Sequence, residues 1–226
     1  MLFFEHGAIP PQPHMYFVYG DGGTGKTTLF KQFPGRKLLL SFDISAGPLA
    51  GDKSIDAGVL VQTDIPVIQE TVDAWVDRAI NSHKYESLAL DNVSSLQNLV
   101  LENIDNKAKD NRQNYQKLQL WFRELAMKLR TSGMNIYATA HQTDNGASGL
   151  TGGGRYAPDM NEKTFNAFTS VFDVVGRIYK KDKQRWIDLD PEQGNHAKNR
   201  IDERTLIKAD ELLEPKEHKE EKEGAA

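Results

Sequence analysis

The sequence predicts an α/β fold: a mostly parallel central sheet flanked by helices, with a C-terminal β-hairpin. Three observations carry this. Short apolar runs alternate with stretches of helical spacing, the pattern of βα units. Residues 20–27 read Gly-Asp-Gly-Gly-Thr-Gly-Lys-Thr between an apolar run and a helical stretch, which fits the phosphate-binding pattern G-x-x-x-x-G-K-[ST]. Two later β-rich stretches, 171–179 and 184–189, are separated only by Lys180-Lys181-Asp182-Lys183, a hairpin spacing.

In chain order, residues 1–14 hold Pro10, Pro11 and Pro13 and read as an extended lead-in. Met15-Tyr16-Phe17-Val18-Tyr19 is continuously apolar, as a strand buried on both faces must be. A helix over 27–33 follows the glycine loop and is stopped by Pro34-Gly35. Residues 37–43 form a second strand ending on the carboxylate of Asp43; 44–58, rich in Gly, Ala and Asp, is a loop, and 59–61 an edge strand. Ile68, Val72, Trp75 and Ala79 recur at helical spacing and predict a helix over 66–82. Residues 87–91 are a third strand, 94–111 and 112–131 helices, and 134–140 a fourth strand running into His141-Gln142. Tyr115, Leu118, Phe122, Leu125 and Leu129 make one apolar stripe, which core packing explains. Residues 143–164, with Gly146, Gly149 and Gly152–Gly154, read as a long flexible loop, and loops of that length are commonly functional. From 203 the chain is highly charged, so the core is expected over 15–202 and a solvated tail over 203–226.

With 226 residues the chain suits one domain with a sizeable core. It has no cysteine, which excludes disulfides and thiolate metal sites and fits a reducing, cytoplasmic setting. No apolar run reaches the ~20 residues of a membrane span, and no signal peptide is evident. The formal net charge of −4 means that any nucleic-acid binding must come from a local basic surface.

The chemistry centres on the glycine loop. Glycines let backbone N–H groups turn onto phosphate oxygens, and the following helix N-terminus favours negative charge. Gly20, Asp21, Gly22, Gly23, Thr24, Gly25, Lys26, Thr27 and Thr28 are therefore expected to bind a nucleotide, with ATP and Mg²⁺ as cofactors. Lys26 can reach the β/γ-phosphates and the Thr27 hydroxyl can ligate Mg²⁺. Leu88-Ala89-Leu90-Asp91 is a buried strand delivering one carboxylate, so Asp91 is the second expected magnesium holder. The next residue, Asn92, cannot act as a base. Asp43 is the nearest candidate for orienting the attacking water, with turn capping as its plain alternative. His141 and Gln142 are candidates for sensing the γ-phosphate; the alternative is a strand-end pair satisfied by backbone groups.

Several motifs then converge: Phe33-Pro34 before Leu38-Leu39-Leu40-Ser41-Phe42-Asp43, Leu90-Asp91-Asn92-Val93-Ser94-Ser95-Leu96, Ala138-Thr139-Ala140-His141, Phe172-Asp173-Val174-Val175-Gly176-Arg177 and Ala197-Lys198-Asn199-Arg200. Over about residues 13–202 the chain resembles phage-encoded RecA-like P-loop ATPases, AAA-domain nucleotide-binding proteins, and is most similar to Sak-group single-strand-annealing recombinases with a RecA core. The resemblance implies a RecA-type core, ATP hydrolysis, action on single-stranded DNA in recombination or replication, and assembly into rings or filaments. It implies that Lys198 and Arg200 reach the γ-phosphate of the neighbouring subunit, and that the 143–164 loop contacts DNA. A single-strand-binding protein is a further partner in such a setting; no membrane is expected. RecA itself carries Glu just beyond the Asp of the second strand, whereas this chain reads Asp43-Ile44-Ser45, which leaves the base open.

For DNA contact, Arg155 and Tyr156 after three glycines, with Lys163 nearby, combine a cation with a stacking aromatic. The second candidate is the turn bearing Arg177, Lys180, Lys181, Lys183 and Arg185, opposed only by Asp182; a solvated hairpin tip is the plain alternative. Two other functions stay open: a P-loop kinase for a small molecule, disfavoured because the 143–164 loop offers a single arginine, and a nucleotide-gated interaction module without hydrolysis.

Overall fold

The computed structural model describes residues 3–104, 111–146, 155–191 and 194–213. The sheet is built around β1 (Met15–Gly20), buried along its whole length. On one side it pairs in parallel with β5 (Asn135–Ala140), followed by β4 (Ser87–Asp91), β2 (Lys37–Ser41) and the edge strand β3 (Ile55–Val59), all parallel. On the other it pairs in parallel with β8 (Val174–Lys181), after which β9 (Gln184–Asp188) and β11 (Leu206–Lys208) run antiparallel. The short β10 (Lys198–Asn199) pairs with the start of β8. A mostly parallel sheet with a C-terminal hairpin is thus the architecture that the alternating pattern predicts.

Successive strand residues face opposite sides, and two cores result. Met15, Phe17 and Tyr19 join the core under α2 (Ile68–Ser82), α3 (Val93–Asn103), α4 (Asn111–Arg130) and α5 (Glu162–Thr169). Phe17 there meets Phe165, Phe168 and Phe172 edge to face, an arrangement aromatic rings prefer. Tyr16 and Val18 face the second core, closed by Leu29, Phe30 and Phe33 after the glycine loop and by Ile207, Ala209 and Leu212 near the end of the described chain. Of the stripe on α4, Leu118, Phe122, Leu125 and Leu129 are buried, whereas Tyr115 is exposed. The base of β1 is tied by Asp173, which accepts from the Met15 amide at 2.9 Å and from the Arg130 guanidinium at 2.8 Å. No described helix is long and apolar enough to cross a membrane.

Four expectations are corrected. The helix after the loop, α1 (Lys26–Leu29), is a single turn continued by a 3-10 turn, Phe30–Gln32, because the chain must extend by Phe33 to reach Pro34. The edge strand lies at Ile55–Val59 rather than 59–61; its Gly and Asp disguise it as loop. Residues 143–164 are not loop throughout: β6 (Gln142–Asp144) pairs antiparallel with β7 (Tyr156–Pro158) in a separate ribbon, and α5 begins at Glu162. Such short polar strands carry no apolar alternation to reveal them; residues 147–154, including Gly149 and Gly152–Gly154, lie outside the described residues. The domain boundary at 202 is too early. Leu206–Lys208 pairs with β9, and both Ile207 and Leu212 are 2% exposed, so isolated apolar residues among charges extend the core. Residues 214–226 lie outside the described residues.

Candidate active site

The glycine loop leaves β1 at Gly20, where a Cβ would come within 2.3 Å of the Ile178 carbonyl oxygen of β8. The loop therefore starts where two backbones approach too closely for a side chain. Gly25, at φ +99, caps α1 in the left-handed region. Lys26 folds back under the loop, its ammonium donating to the Gly20 carbonyl at 2.7 Å and the Asp21 carbonyl at 2.9 Å. It is 8% exposed, and burial lowers its pKa, against the opposing pull of Asp91, Asp21 and Asp43. Desolvation costs the charged amine hydration that an anion can replace. From behind, the fully buried Tyr137 donates to the Lys26 carbonyl at 2.8 Å.

Asp91 ends β4, 2% exposed. One carboxylate oxygen accepts from the Thr27 hydroxyl at 2.7 Å and the other from the Thr139 hydroxyl. Burial raises its pKa, and the two hydroxyls only partly offset this. The Asp91–Asn92 peptide bond is cis. Asn92 caps α3, accepting from the Ser95 amide at 2.8 Å, while its amide nitrogen donates to Asp43 and lies 3.1 Å from His141 Nε2. Asp43 is held on both oxygens, since the other accepts from the Ser45 amide at 3.0 Å. Both sequence readings of Asp43 therefore have a counterpart: it caps a turn and faces the site.

These groups line one cleft of about 360 Å³: Gly22, Gly23, Gly25, Lys26, Thr27, Thr28, Asp43, Asp91 and His141 from the sequence expectations, with Ser45, Pro48, Asn92 and Arg185 added. A Cβ on Gly22 or Gly23 would meet open space, so the loop is bare on its outer side. No cluster of three or more His, Asp or Glu side chains able to hold a metal occurs among the described residues. A hydroxyl and one carboxylate suit a cation that completes its shell with phosphate and water, as Mg²⁺ does. The donor set fits Mg²⁺–nucleotide and does not fit an all-protein metal cage.

A protein-family model described as AAA domain matches residues 12–201. The chain belongs to this AAA domain family. As a P-loop NTPase domain, it has its glycine-loop cleft at the C-terminal ends of β1, β4 and β5, the end of a parallel sheet that commonly takes a ligand. Its structure is similar to that of a KaiC-like protein, PH0186, from the hyperthermophilic archaeon Pyrococcus horikoshii OT3, at 14% identity over 79% of this chain and 78% of that one, with a TM-score of 0.46. Among curated proteins no sequence matches.

The other expected site residues of this AAA domain lie apart from the cleft. Gln142, on β6, accepts from Arg177 at 3.0 Å. Tyr156, on β7, has two guanidinium groups over its ring, that of Arg177 at 3.4 Å from its centre and that of Arg155 at 4.9 Å. Arg155 is also paired with Asp144 across the ribbon. Lys163 is exposed in the first turn of α5. Lys180 and Lys181 end β8, and Asp182 and Lys183 form its tight turn with φ 53 and 63, the left-handed pair a two-residue hairpin demands. Lys198 and Arg200 sit at the opposite end of the sheet from the loop. Lys198 is in register with Val175, whereas Gly20 is opposite Ile178, about 10 Å further along the strand. The Lys198 ammonium donates to the Thr169 carbonyl at 2.8 Å, and burial, followed by Arg200, brings its pKa down to about 8. Neither residue belongs to the cleft of its own chain.

Three contributors escape sequence reading. Tyr137 and Thr139 are polar positions inside an apolar strand, and the signal was their place beside the Asp91 strand. Arg185, read as part of a basic turn, reaches the glycine loop itself, donating to the Thr24 carbonyl at 2.9 Å.

Proposed function

We propose that this domain hydrolyses ATP and uses the cycle to switch an oligomer on single-stranded DNA, in phage-type recombination or replication. The observation that carries the hydrolytic reading is the Thr27–Asp91 pair beside a buried Lys26 under a bare glycine loop. The loop amides, Lys26 and Thr28 hold phosphate oxygens, and Thr27 with Asp91 holds the metal. ATP·Mg²⁺, when bound, supplies the transferable phosphoryl group and neutralises its charge. Asp43 orients the attacking water, and Asn92, bonded to both Asp43 and His141, keeps the carboxylate and imidazole aimed at the same space. His141, adjacent to Gln142, passes nucleotide occupancy to the ribbon through the Gln142–Arg177 bond.

The DNA reading is supported by Tyr156 with the guanidinium groups of Arg155 and Arg177 at its ring, an aromatic with two cations in a chain of net negative charge. Assembly is supported by Lys198 and Arg200, which their register keeps from their own loop. A cation supplied by a neighbour stabilises charge in the transition state and ties turnover to assembly.

The deciding experiment is ATPase activity against protein concentration, with and without single-stranded DNA. Specific activity is expected to rise with assembly and with DNA. Lys198→Ala and Arg200→Ala are expected to remove that rise while nucleotide affinity changes less than about threefold. Full activity in both variants overturns the trans role. ATP remaining intact for hours in single-turnover assays, with and without DNA, overturns hydrolysis itself.

A further inference from the structure

Tyr19 lies in β1 directly before the glycine loop, and its side chain is fully buried. Its ring joins the first core, but its hydroxyl meets two backbone segments far away in sequence. It accepts from the His196 amide at 3.0 Å and donates to the Tyr156 carbonyl over a long 3.4 Å. Burial pushes the phenol's pKa up, so the hydroxyl keeps the proton it donates. The same two segments also touch at one isolated parallel bridge, Tyr156 to Asn195. One is β7, whose Tyr156 ring carries Arg155 and Arg177. The other reaches Lys198 within two residues. Tyr19 is in register with Arg177 on β8, whose guanidinium bonds Gln142. One hydroxyl is therefore shared by the strand entering the glycine loop, the ribbon and the segment bearing Lys198 and Arg200.

We propose that Tyr19 is a positioning residue that couples the ribbon to segment 195–200, so that single-stranded DNA held at the ribbon sets where Lys198 and Arg200 stand. The proposal rests on reading the ribbon as a DNA surface and those two residues as cations supplied to a neighbour; it adds the connection between them. A buried N–H or C=O left without a partner costs more than its hydrogen bond contributes. The ribbon and segment 195–200 are therefore favoured to shift together around the shared hydroxyl. β7 has three residues and β10 two, so neither is fixed by a long ladder of its own. Helix α5 carries the far side of the segment: the His196 ring packs edge to face on Phe165 at 5.3 Å, and the Lys198 ammonium bonds the Thr169 carbonyl. Phenylalanine at position 19 fills the same space and holds neither backbone partner, which separates the hydroxyl from the packing of the ring. Coupling between two ligands is reciprocal, so nucleotide changes DNA affinity by the factor by which DNA changes nucleotide affinity.

Affinity of the full chain for a fluorescent oligothymidylate is measured with and without a non-hydrolysable ATP analogue and Mg²⁺. Wild type is expected to bind the DNA at least about fivefold tighter with the analogue. Tyr19→Phe is expected to bring that ratio to within about twofold of one, while its affinity for the analogue and its DNA-free ATPase rate stay within about twofold of wild type. A merely structural role lowers all three together. Hydrogen exchange supplies a second reading that needs no variant: the oligothymidylate is expected to slow exchange at 195–200 in wild type, and not in Tyr19→Phe. A ratio retained in Tyr19→Phe, losses in all three quantities together, or exchange at 195–200 that the DNA leaves unchanged in wild type, overturns the coupling through Tyr19. Wild type that binds no oligothymidylate, or binds it equally with and without the analogue, overturns the DNA-switching reading beneath it, and that result is visible before any variant is made.

Discussion

Asp91 shows how a carboxylate buried at the cleft works against the fold that holds it. Burial raises its pKa, and the bonds from Thr139 and Thr27 compensate only in part. A carboxyl group whose folded pKa lies above its unfolded value binds its proton more tightly when folded. Its contribution to stability is present at low pH and is lost as pH rises through the folded pKa. Asp91→Asn is therefore expected to raise the stability of the nucleotide-free protein by about 1 kcal/mol near neutral pH, an advantage that shrinks as pH falls through the raised folded pKa and is gone below the ordinary carboxylate range. The same variant is expected to lose Mg²⁺-dependent turnover by at least about a hundredfold. Melting curves at several pH values and steady-state ATPase assays check both halves. A variant less stable than wild type at neutral pH contradicts the burial argument.

At the scale of elements, β11 tests where the domain ends. It is three residues long, and its neighbours are mostly charged, yet it pairs with β9 and inserts Ile207 into the second core. Leu206, on the opposite face, is 50% exposed. Ile207→Ala is expected to cost about 2–4 kcal/mol, the range for a buried aliphatic side chain lost from a packed core. Leu206→Ala is expected to cost less than about 0.5 kcal/mol. Urea unfolding measures both. Equal small effects return residues 203–213 to the status of a tail.

For the whole molecule, the decisive geometry is the separation of the start of the loop from Lys198 by about three residues, ~10 Å, along β8. The proposed shared site requires a head-to-tail contact that would bring one copy's loop to Lys198 and Arg200 of the next, and such heterologous contacts generate rings or filaments. Lys26→Ala and the double variant Lys198→Ala/Arg200→Ala are each expected to be nearly inactive alone. Mixed in equal amounts with single-stranded DNA, they are expected to recover about a quarter of wild-type activity, because random assembly pairs an intact loop with intact fingers in that fraction of sites. No recovery on mixing rejects the shared site.

Much of this molecule is legible from sequence because strong local constraints leave few alternatives. Continuous apolar runs at 15–19 and 88–90 must be buried strands. The residues at 20–27 must form a loop open to phosphate, and an acidic residue closing a buried strand must have a polar reason to be there. The layer of helices over the first core follows from period alone at Val72, Leu118, Phe122, Leu125 and Leu129. What the tertiary structure alone decided is how residues distant in sequence meet. Thr139 and Thr27 share Asp91, Asn92 ties Asp43 to His141, and Arg185 crosses from the hairpin onto the glycine loop. Lys198 and Arg200 are kept from the cleft of their own chain by register, a property of strand pairing that no local pattern encodes. Local sequence specifies period and chain conformation; strand order and register specify which side chains share a space, and the chemistry of the cleft depends on the latter.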